Sequence, residues 1–157
     1  MINPRYSMAN YAENFIGLPY SYGGNGPWFD CGSLMGEIFR AHFTNFPHHD
    51  INSQGIRELL KKSKGVASVD FNHAKKYPGV VILYGSTNKT SEHIAMTIRG
   101  GFLIEAGGGH ASTLTPADAS KDGAFVRVRP IEHRLDIIDM LDLDYENMDS
   151  SFKFGTA

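Results

Sequence analysis

The chain has 157 residues, 41% hydrophobic and 20% charged, with a formal net charge of −2 at pH 7. These values are typical of a globular protein with one core, so we expect a single domain over residues 1–157. The small net charge argues against a nucleic-acid-binding protein, and no apolar stretch is long enough for membrane insertion. The single cysteine, Cys31, cannot form an internal disulfide. The N-terminus lacks the apolar core of a secretory signal, so we expect synthesis in the cytoplasm without a signal peptide.

The first half of the chain is predicted to be mainly helical. A short helix is expected over residues 11–16, followed by a glycine-rich loop over 20–27. Asp30 is a good N-cap for a second helix, which should end before Asn45. Apolar residues recur at helical spacing along this second helix: Leu34, Met35, Ile38, Phe39 and Phe43. A third short helix is predicted over residues 53–62.

The second half of the chain is predicted to be mainly strands. Four runs have strand character: residues 80–83, 93–98, 102–106 and 125–129. Gly100 and Gly101 separate the second run from the third, which indicates a tight β-hairpin. A helix is expected over residues 131–140, and a loosely held acidic C-terminal tail over about 141–157. Because helices precede strands, the predicted fold class is α+β, with helices packed on one side of an antiparallel sheet.

Cys31 is predicted to begin the second helix, where the peptide dipoles and free amides stabilise a thiolate nucleophile. Such a nucleophile needs a histidine base and a group that orients the histidine. His93 begins a strand, and the hairpin should return Glu105 close to it. Glu105 is also a lone acid in an apolar strand, where a carboxylate needs a partner. We therefore interpret Cys31, His93 and Glu105 as catalytic. Taken singly, each also fits a structural role, as a buried thiol, a strand cap or a surface acid.

Several other residues invite a functional interpretation. His110 follows three glycines and is either a substrate-loop residue, an alternative partner for His93, or an ordinary loop histidine. Trp28 is either an aromatic wall of a substrate cleft or a packing residue under the loop. His42, His48 and His49 suggest a metal site by composition alone. Because no cysteine partner or HExxH pattern accompanies them, we expect no metal and no cofactor.

The segments around Cys31 and His93 resemble the NlpC/P60 family of cysteine peptidases. Residues 17–24 match the family's Gly-x-Pro-Tyr-x-Tyr-Gly-Gly loop, and residues 30–34 resemble its Asp-Cys-Ser-Gly-Leu motif. Residues 93–98, the glycine turn and residues 104–106 match its histidine hairpin. The resemblance covers about residues 11–129.

The sequence departs from the family pattern at four positions. Gly32 and Ser33 are exchanged relative to the family's Ser-Gly, and Val80 stands where the family has aspartate. Glu105 replaces the third polar residue, which is often histidine. An acid at this position is chemically sound, because a carboxylate also orients the histidine of serine proteases.

The resemblance implies a papain-like fold with the nucleophile at a helix N-terminus packed on an antiparallel sheet. It further implies hydrolysis of the peptide stems of bacterial cell-wall peptidoglycan, commonly at the bond between γ-linked D-glutamate and the diamino acid. Tyr20, Asp30 and Ser33 are then expected to serve the oxyanion or the substrate, with Trp28 and His110 as further substrate-binding candidates.

Other functions agree with the same residues. A CHAP-type amidase or endopeptidase also uses a cysteine, a histidine and an acid, and an acyltransferase would form the same thioester. A non-enzymatic alternative is a degenerate wall-binding or phage-tail structural module. For a hydrolase without a signal peptide, the expected settings are a phage lysin, a tail enzyme associated with virion proteins or an injected effector. A holin, the virion or a secretion system would then deliver it to the cell wall.

Overall fold

The computed structural model describes residues 3–47 and 51–155. Within them, five α-helices are α1 (Pro4–Glu13), α2 (Cys31–His42), α3 (Ser53–Lys61), α4 (Phe71–Lys76) and α5 (Pro116–Asp122). The strands are β1 (Val66–Ser68), β2 (Val81–Tyr84), β3 (His93–Thr97), β4 (Phe102–Gly107), β5 (Phe125–Pro130) and β6 (Ile137–Leu143). Short 3-10 turns cover Ile131–His133 and Tyr145–Asn147. None of the described helices has the length and apolarity needed to cross a membrane.

The strands form one antiparallel sheet in the order β1-β6-β2-β3-β4-β5. Its β3–β4 hairpin turns through Gly100 and Gly101, which both have positive φ. A left-handed backbone favours glycine, so this pair fixes the tight turn that the sequence indicates. The α+β fold with helices and an antiparallel sheet is confirmed. The expectation that the helices pack on one side only is wrong, because α4 packs on the other face through Phe71 and Ala74.

Helix α2 packs its apolar face against the centre of the sheet. Its residues Leu34, Met35, Ile38 and Phe39 are fully buried. They form the larger hydrophobic core with Ile94 and Met96 of β3 and with Ile104 of β4. A smaller core covers the opposite sheet face and includes Ala74, Tyr84, Ala95, Leu103 and Ile131. The central strands are therefore covered on both faces, which holds the ends of β3 and β4 firmly.

Two predicted helices are placed differently in the structure. The first helix is α1, over Pro4–Glu13 rather than 11–16, because Asn3 caps it through a hydrogen bond from Arg5 N and Pro4 occupies its first turn. The prediction of a helix over residues 131–140 is wrong. That segment is a 3-10 turn followed by β6, whose pairing with β1 and β2 outweighs the local helical spacing.

The expectation of a loosely held C-terminal tail is also wrong for the described residues. Leu141 and Leu143 are buried in β6, and the buried Tyr145 hydroxyl donates to the Gly79 carbonyl at 2.7 Å. Phe152 and Phe154 pack against the larger core. The apolar residues between the acids therefore anchor the segment, although its acidic side chains reduce its mean hydropathy.

Candidate active site

Cys31 is the first residue of α2 and is partly exposed. Asp30 caps the helix: its Oδ1 accepts from Ser33 N at 2.9 Å, and its Oδ2 accepts from Gly23 N at 2.9 Å. Ser33 Oγ accepts from Asp30 N at 3.0 Å and completes a capping box. The cap thus fixes the thiol at the helix terminus and joins that terminus to the glycine-rich loop.

The exchanged pair after the cysteine has a local structural reason. A Cβ atom on Gly32 would lie 3.0 Å from the Ile51 carbonyl oxygen and 3.1 Å from Asn52 Cα. The chain before α3 therefore leaves little room for a side chain at Gly32. The serine stands one position later, where Ser33 serves the capping box. The capping bonds engage the side chains of Asp30 and Ser33 and fix the position of the thiol. The oxyanion or substrate role expected for these two residues stays a prediction.

His93 and Glu105 meet on one face of the β3–β4 hairpin. Met96 pairs with Ile104 and Thr97 with Leu103, so Glu105 lies diagonal to His93. His93 Nε2 is 2.8 Å from Glu105 Oε1. Because Glu105 occupies Nε2, Nδ1 is the ring nitrogen left for Cys31. The structure thus brings together the three residues that the sequence predicts as catalytic.

The buried pair is stabilised in its charged form. Burial alone would lower the pKa of His93, but hydrogen bonds and charge interactions with Cys31 and Glu105 raise it to about 9. Burial would likewise raise the pKa of Glu105, but His93, Arg127 and His133 lower it to about 2. A charge-stabilised imidazolium beside the thiol is the arrangement that supports a thiolate nucleophile.

Two residues of this site were not predicted from the sequence. Arg127 lies directly opposite Glu105 in the β4–β5 ladder, and its Nε donates to Glu105 Oε2 at 2.9 Å. His133 follows β5, and its Nε2 lies 3.2 Å from Glu105 Oε1. The alternation of the Phe125–Pro130 strand could have revealed Arg127 as a partner for the lone acid. No comparable signal marked His133, because its segment was predicted to be helical.

Two cavities meet at the thiol, and Tyr20, Cys31 and Glu92 line both. The first, the helix-side cavity, has a volume of about 350 Å³. Its remaining lining comes from Tyr22, residues 23–25, the first turn of α2 with Asp30, and residues 51–53. The second, the His-side cavity, has a volume of about 250 Å³. It extends over His93, Glu105, residues 106–109, Arg127, His133 and Arg134.

Tyr20 lies between the two cavities. Its ring is buried, and a side chain on Gly109 would overlap it. Burial, together with the charges of Cys31 and Asp30, raises the pKa of the Tyr20 hydroxyl, which therefore keeps its proton. This hydroxyl is a neutral donor in a residue that lines both cavities with Cys31, and its oxyanion or substrate role stays a prediction.

The remaining candidates lie away from this centre. His110 is 61% exposed at its side chain, and its Nε2 lies 3.3 Å from Asp122 Oδ2. Glu105, and not His110, therefore contacts His93. Trp28 is partly exposed and is not among the residues that line the two cavities. His48 and His49 lie outside the described residues.

The family model named NlpC/P60 matches residues 17–129, and the chain belongs to the NlpC/P60 family. A similar solved structure is that of an NlpC/P60 family protein from Bacillus cereus, with 23% identity and a TM-score of 0.58. That match covers 85% of this chain and 38% of the other protein. No curated protein sequence matches the chain.

Two other similar structures carry more specific names. One is the NlpC/P60 domain of the peptidoglycan hydrolase SagA, with 22% identity, a TM-score of 0.57 and coverage of 90% of this chain and 100% of that domain. The other is the peptidoglycan hydrolase RipB from Mycobacterium tuberculosis, with 20% identity, a TM-score of 0.55 and coverage of 90% and 66%. At these identities, the likeness establishes the fold.

Proposed function

We propose that this protein is a cysteine endopeptidase that hydrolyses the peptide stems of peptidoglycan, at the bond between γ-linked D-glutamate and the diamino acid. The observation that carries the proposal is the position of His93, which lines one cavity with Cys31 and is held by Glu105 at 2.8 Å. Family membership supports the substrate class, since SagA and RipB are named as peptidoglycan hydrolases.

In this mechanism, the Cys31 thiolate attacks the substrate carbonyl carbon and forms a tetrahedral intermediate. Ser33 N and Leu34 N already donate to Asp30, whereas Cys31 N and Gly32 N have no acceptor within the described residues. These free amides and the Tyr20 hydroxyl are the donors available to the oxyanion.

The imidazolium of His93 then donates a proton from Nδ1 to the departing amine, and the carbon–nitrogen bond breaks. The product is a thioester on Cys31. Neutral His93 next takes a proton from water, whose oxygen attacks the thioester and releases the acid. Glu105 stays ionised throughout and keeps the ring oriented.

The first prediction is that Cys31→Ala abolishes hydrolysis of purified muropeptides while leaving the fold intact. Mass spectrometry of the digest should show a new peptide fragment ending in γ-D-glutamate with the wild-type protein and not with Cys31→Ala. His110→Ala is a matched control, because His110 is exposed and paired with Asp122, and it should retain wild-type turnover. Circular dichroism and the thermal unfolding midpoint would verify that the variants fold.

Other products would identify the alternative functions. Cleavage between the glycan and the first L-alanine would indicate a CHAP-like amidase, and transfer of the acyl group to an added amine would indicate an acyltransferase. Binding to cell walls without any new fragment would indicate a wall-binding module. Hydrolysis that persists in Cys31→Ala would contradict the assignment of the nucleophile.

A further inference from the structure

The position of His93 indicates which cavity takes which part of the substrate. The group that protonates the departing amine must face that amine, and the acyl group stays on Cys31 until water attacks. His93 lines only the His-side cavity, whereas the helix-side cavity runs from Cys31 along the first turn of α2. The leaving residue therefore belongs in the His-side cavity. This step rests on the proposed function.

Arg127 offers unused hydrogen-bond donors to that cavity. Within the described residues, its Nε donates to Glu105 Oε2, while its two Nη atoms have no protein acceptor. A Cβ on Gly107 would lie 2.9 Å from Arg127 Nη2, and one on Gly108 would lie 3.3 Å from Nη1. Because these glycines have no side chains, the Nη edge of the guanidinium stays uncovered beside the cavity. The Arg127 side chain is 28% exposed.

The other charged groups of the cavity already have partners. Arg134 donates through Nε and Nη2 to both oxygens of Asp136, at 2.9 and 2.6 Å. The carboxylate of Glu92 accepts from the backbone and the hydroxyl of Ser86. Among the described residues, Arg134 keeps only Nη1 without an acceptor, so Arg127 is the arginine of this cavity with both Nη atoms free. A guanidinium edge binds a carboxylate through two parallel hydrogen bonds.

We propose that the His-side cavity is a subsite for a free carboxylate on the leaving residue, bound by the Nη atoms of Arg127. A diamino acid such as diaminopimelic acid offers this group twice, as a side-chain carboxylate and as a terminal α-carboxylate. Lysine at the same position lacks the side-chain carboxylate. The subsite therefore makes the enzyme favour leaving residues that carry a free carboxylate within reach of Arg127.

The test uses four synthetic peptides, L-Ala-γ-D-Glu-diaminopimelic acid with neither, either or both leaving-residue carboxylates converted to amides. For the wild-type protein, amidation of the carboxylate that Arg127 binds should lower kcat/KM about 10- to 100-fold, the range for a charge-assisted bidentate contact. The two singly amidated peptides distinguish the side-chain source from the terminal source. Equal kcat/KM for all four peptides would overturn the subsite while leaving the proposed hydrolysis intact.

Arg127→Gln should reduce this selectivity ratio to about one. Arg127 also holds Glu105, so the variant should turn over every peptide more slowly, and the ratio isolates its contact with substrate. Asp30→Ala is the matched control, because Asp30 lines the other cavity: it should slow all four peptides alike and keep the ratio. A wild-type ratio preserved in Arg127→Gln would contradict the proposal.

A binding measurement tests the carboxylate subsite separately from the proposed hydrolysis. Free diaminopimelic acid, titrated calorimetrically into the Cys31→Ala variant, should bind. Its affinity should be about 10- to 100-fold weaker for the double variant Cys31→Ala, Arg127→Gln. If the wild-type protein cleaves none of the peptides, the proposed function fails. If it cleaves them but the acid binds equally to both variants, only the subsite fails.

Discussion

At the scale of single residues, Glu105 organises the site through both of its carboxylate oxygens. Oε1 contacts His93 and lies near His133, while Oε2 accepts from Arg127. The Glu105 side chain is only 1% exposed, and a buried carboxylate without such partners would be strongly destabilising. The imidazolium of His93 and the guanidinium of Arg127 explain how Glu105 remains ionised at a position where the family often has histidine.

Glu105→Gln is predicted to shift the alkaline limb of the pH–activity profile to lower pH. In the wild-type protein, kcat/KM should fall as His93 loses its proton near its pKa of about 9. A neutral amide no longer stabilises the imidazolium, so the pKa of His93 drops and the decline begins earlier. Initial rates between pH 6 and 10.5 would measure this shift.

The same substitution should lower kcat more than it raises KM, because Glu105 touches the base and not the scissile bond. Glu105→Asp, which keeps the charge on a shorter side chain, is the control and should retain more of the alkaline activity. An unchanged alkaline limb in Glu105→Gln, with the variant fully folded, would show that another group sets the protonation of His93.

At the scale of elements, the site consists of a capped helix start and a hairpin, and the sequence contained signals for both. Asp30 before an apolar helical stripe marked the beginning of α2, and the Gly100–Gly101 turn fixed the return of β4 toward β3. These signals are local in sequence, so they can be recognised without knowing the rest of the fold.

The elements that sequence reasoning missed depend on distant partners. Strand β6 exists because it lies between β1 and β2, and its residues Ile137 and Met140 pack on the smaller core while Leu141 and Leu143 join the larger one. His133 is carried to Glu105 by the turn before this strand. Its position could not be predicted while the segment was read as a helix.

Asp30→Ala should lower the free energy of unfolding by about 1 kcal/mol, because it removes the acceptor for Ser33 N at the start of α2. Asp30→Ser is the matched control: a serine still caps the helix but loses the second bond, from Gly23 N. Urea unfolding followed by circular dichroism would measure both variants. Equal stability of Asp30→Ala and the wild-type protein would mean that the cap positions the thiol without stabilising the helix.

At the scale of the whole molecule, α2 is held at both ends. The cap joins its N-terminus to the loop at Gly23, and the C-terminal segment covers its other end. The ring of Phe154 lies 5.9 Å from that of Phe39, 5.5 Å from that of Phe43 and 5.1 Å from that of Phe46. Edge-to-face contacts of this kind add to the apolar burial. The acidic segment thus stabilises the helix that carries the thiol.

Phe154→Ala is therefore predicted to destabilise the protein by about 2–3 kcal/mol, somewhat less than a fully buried phenylalanine, because the side chain is only partly buried. Leu135→Ala is the control: Leu135 is 95% exposed and should change stability by less than about 0.5 kcal/mol. Denaturant unfolding would give both values. Because Phe154 packs at the end of α2 away from Cys31, the folded variant should keep its kcat/KM at temperatures well below its unfolding midpoint. A stable but inactive Phe154→Ala would instead mean that the C-terminal segment sets the position of the thiol directly, through a small displacement of the whole helix.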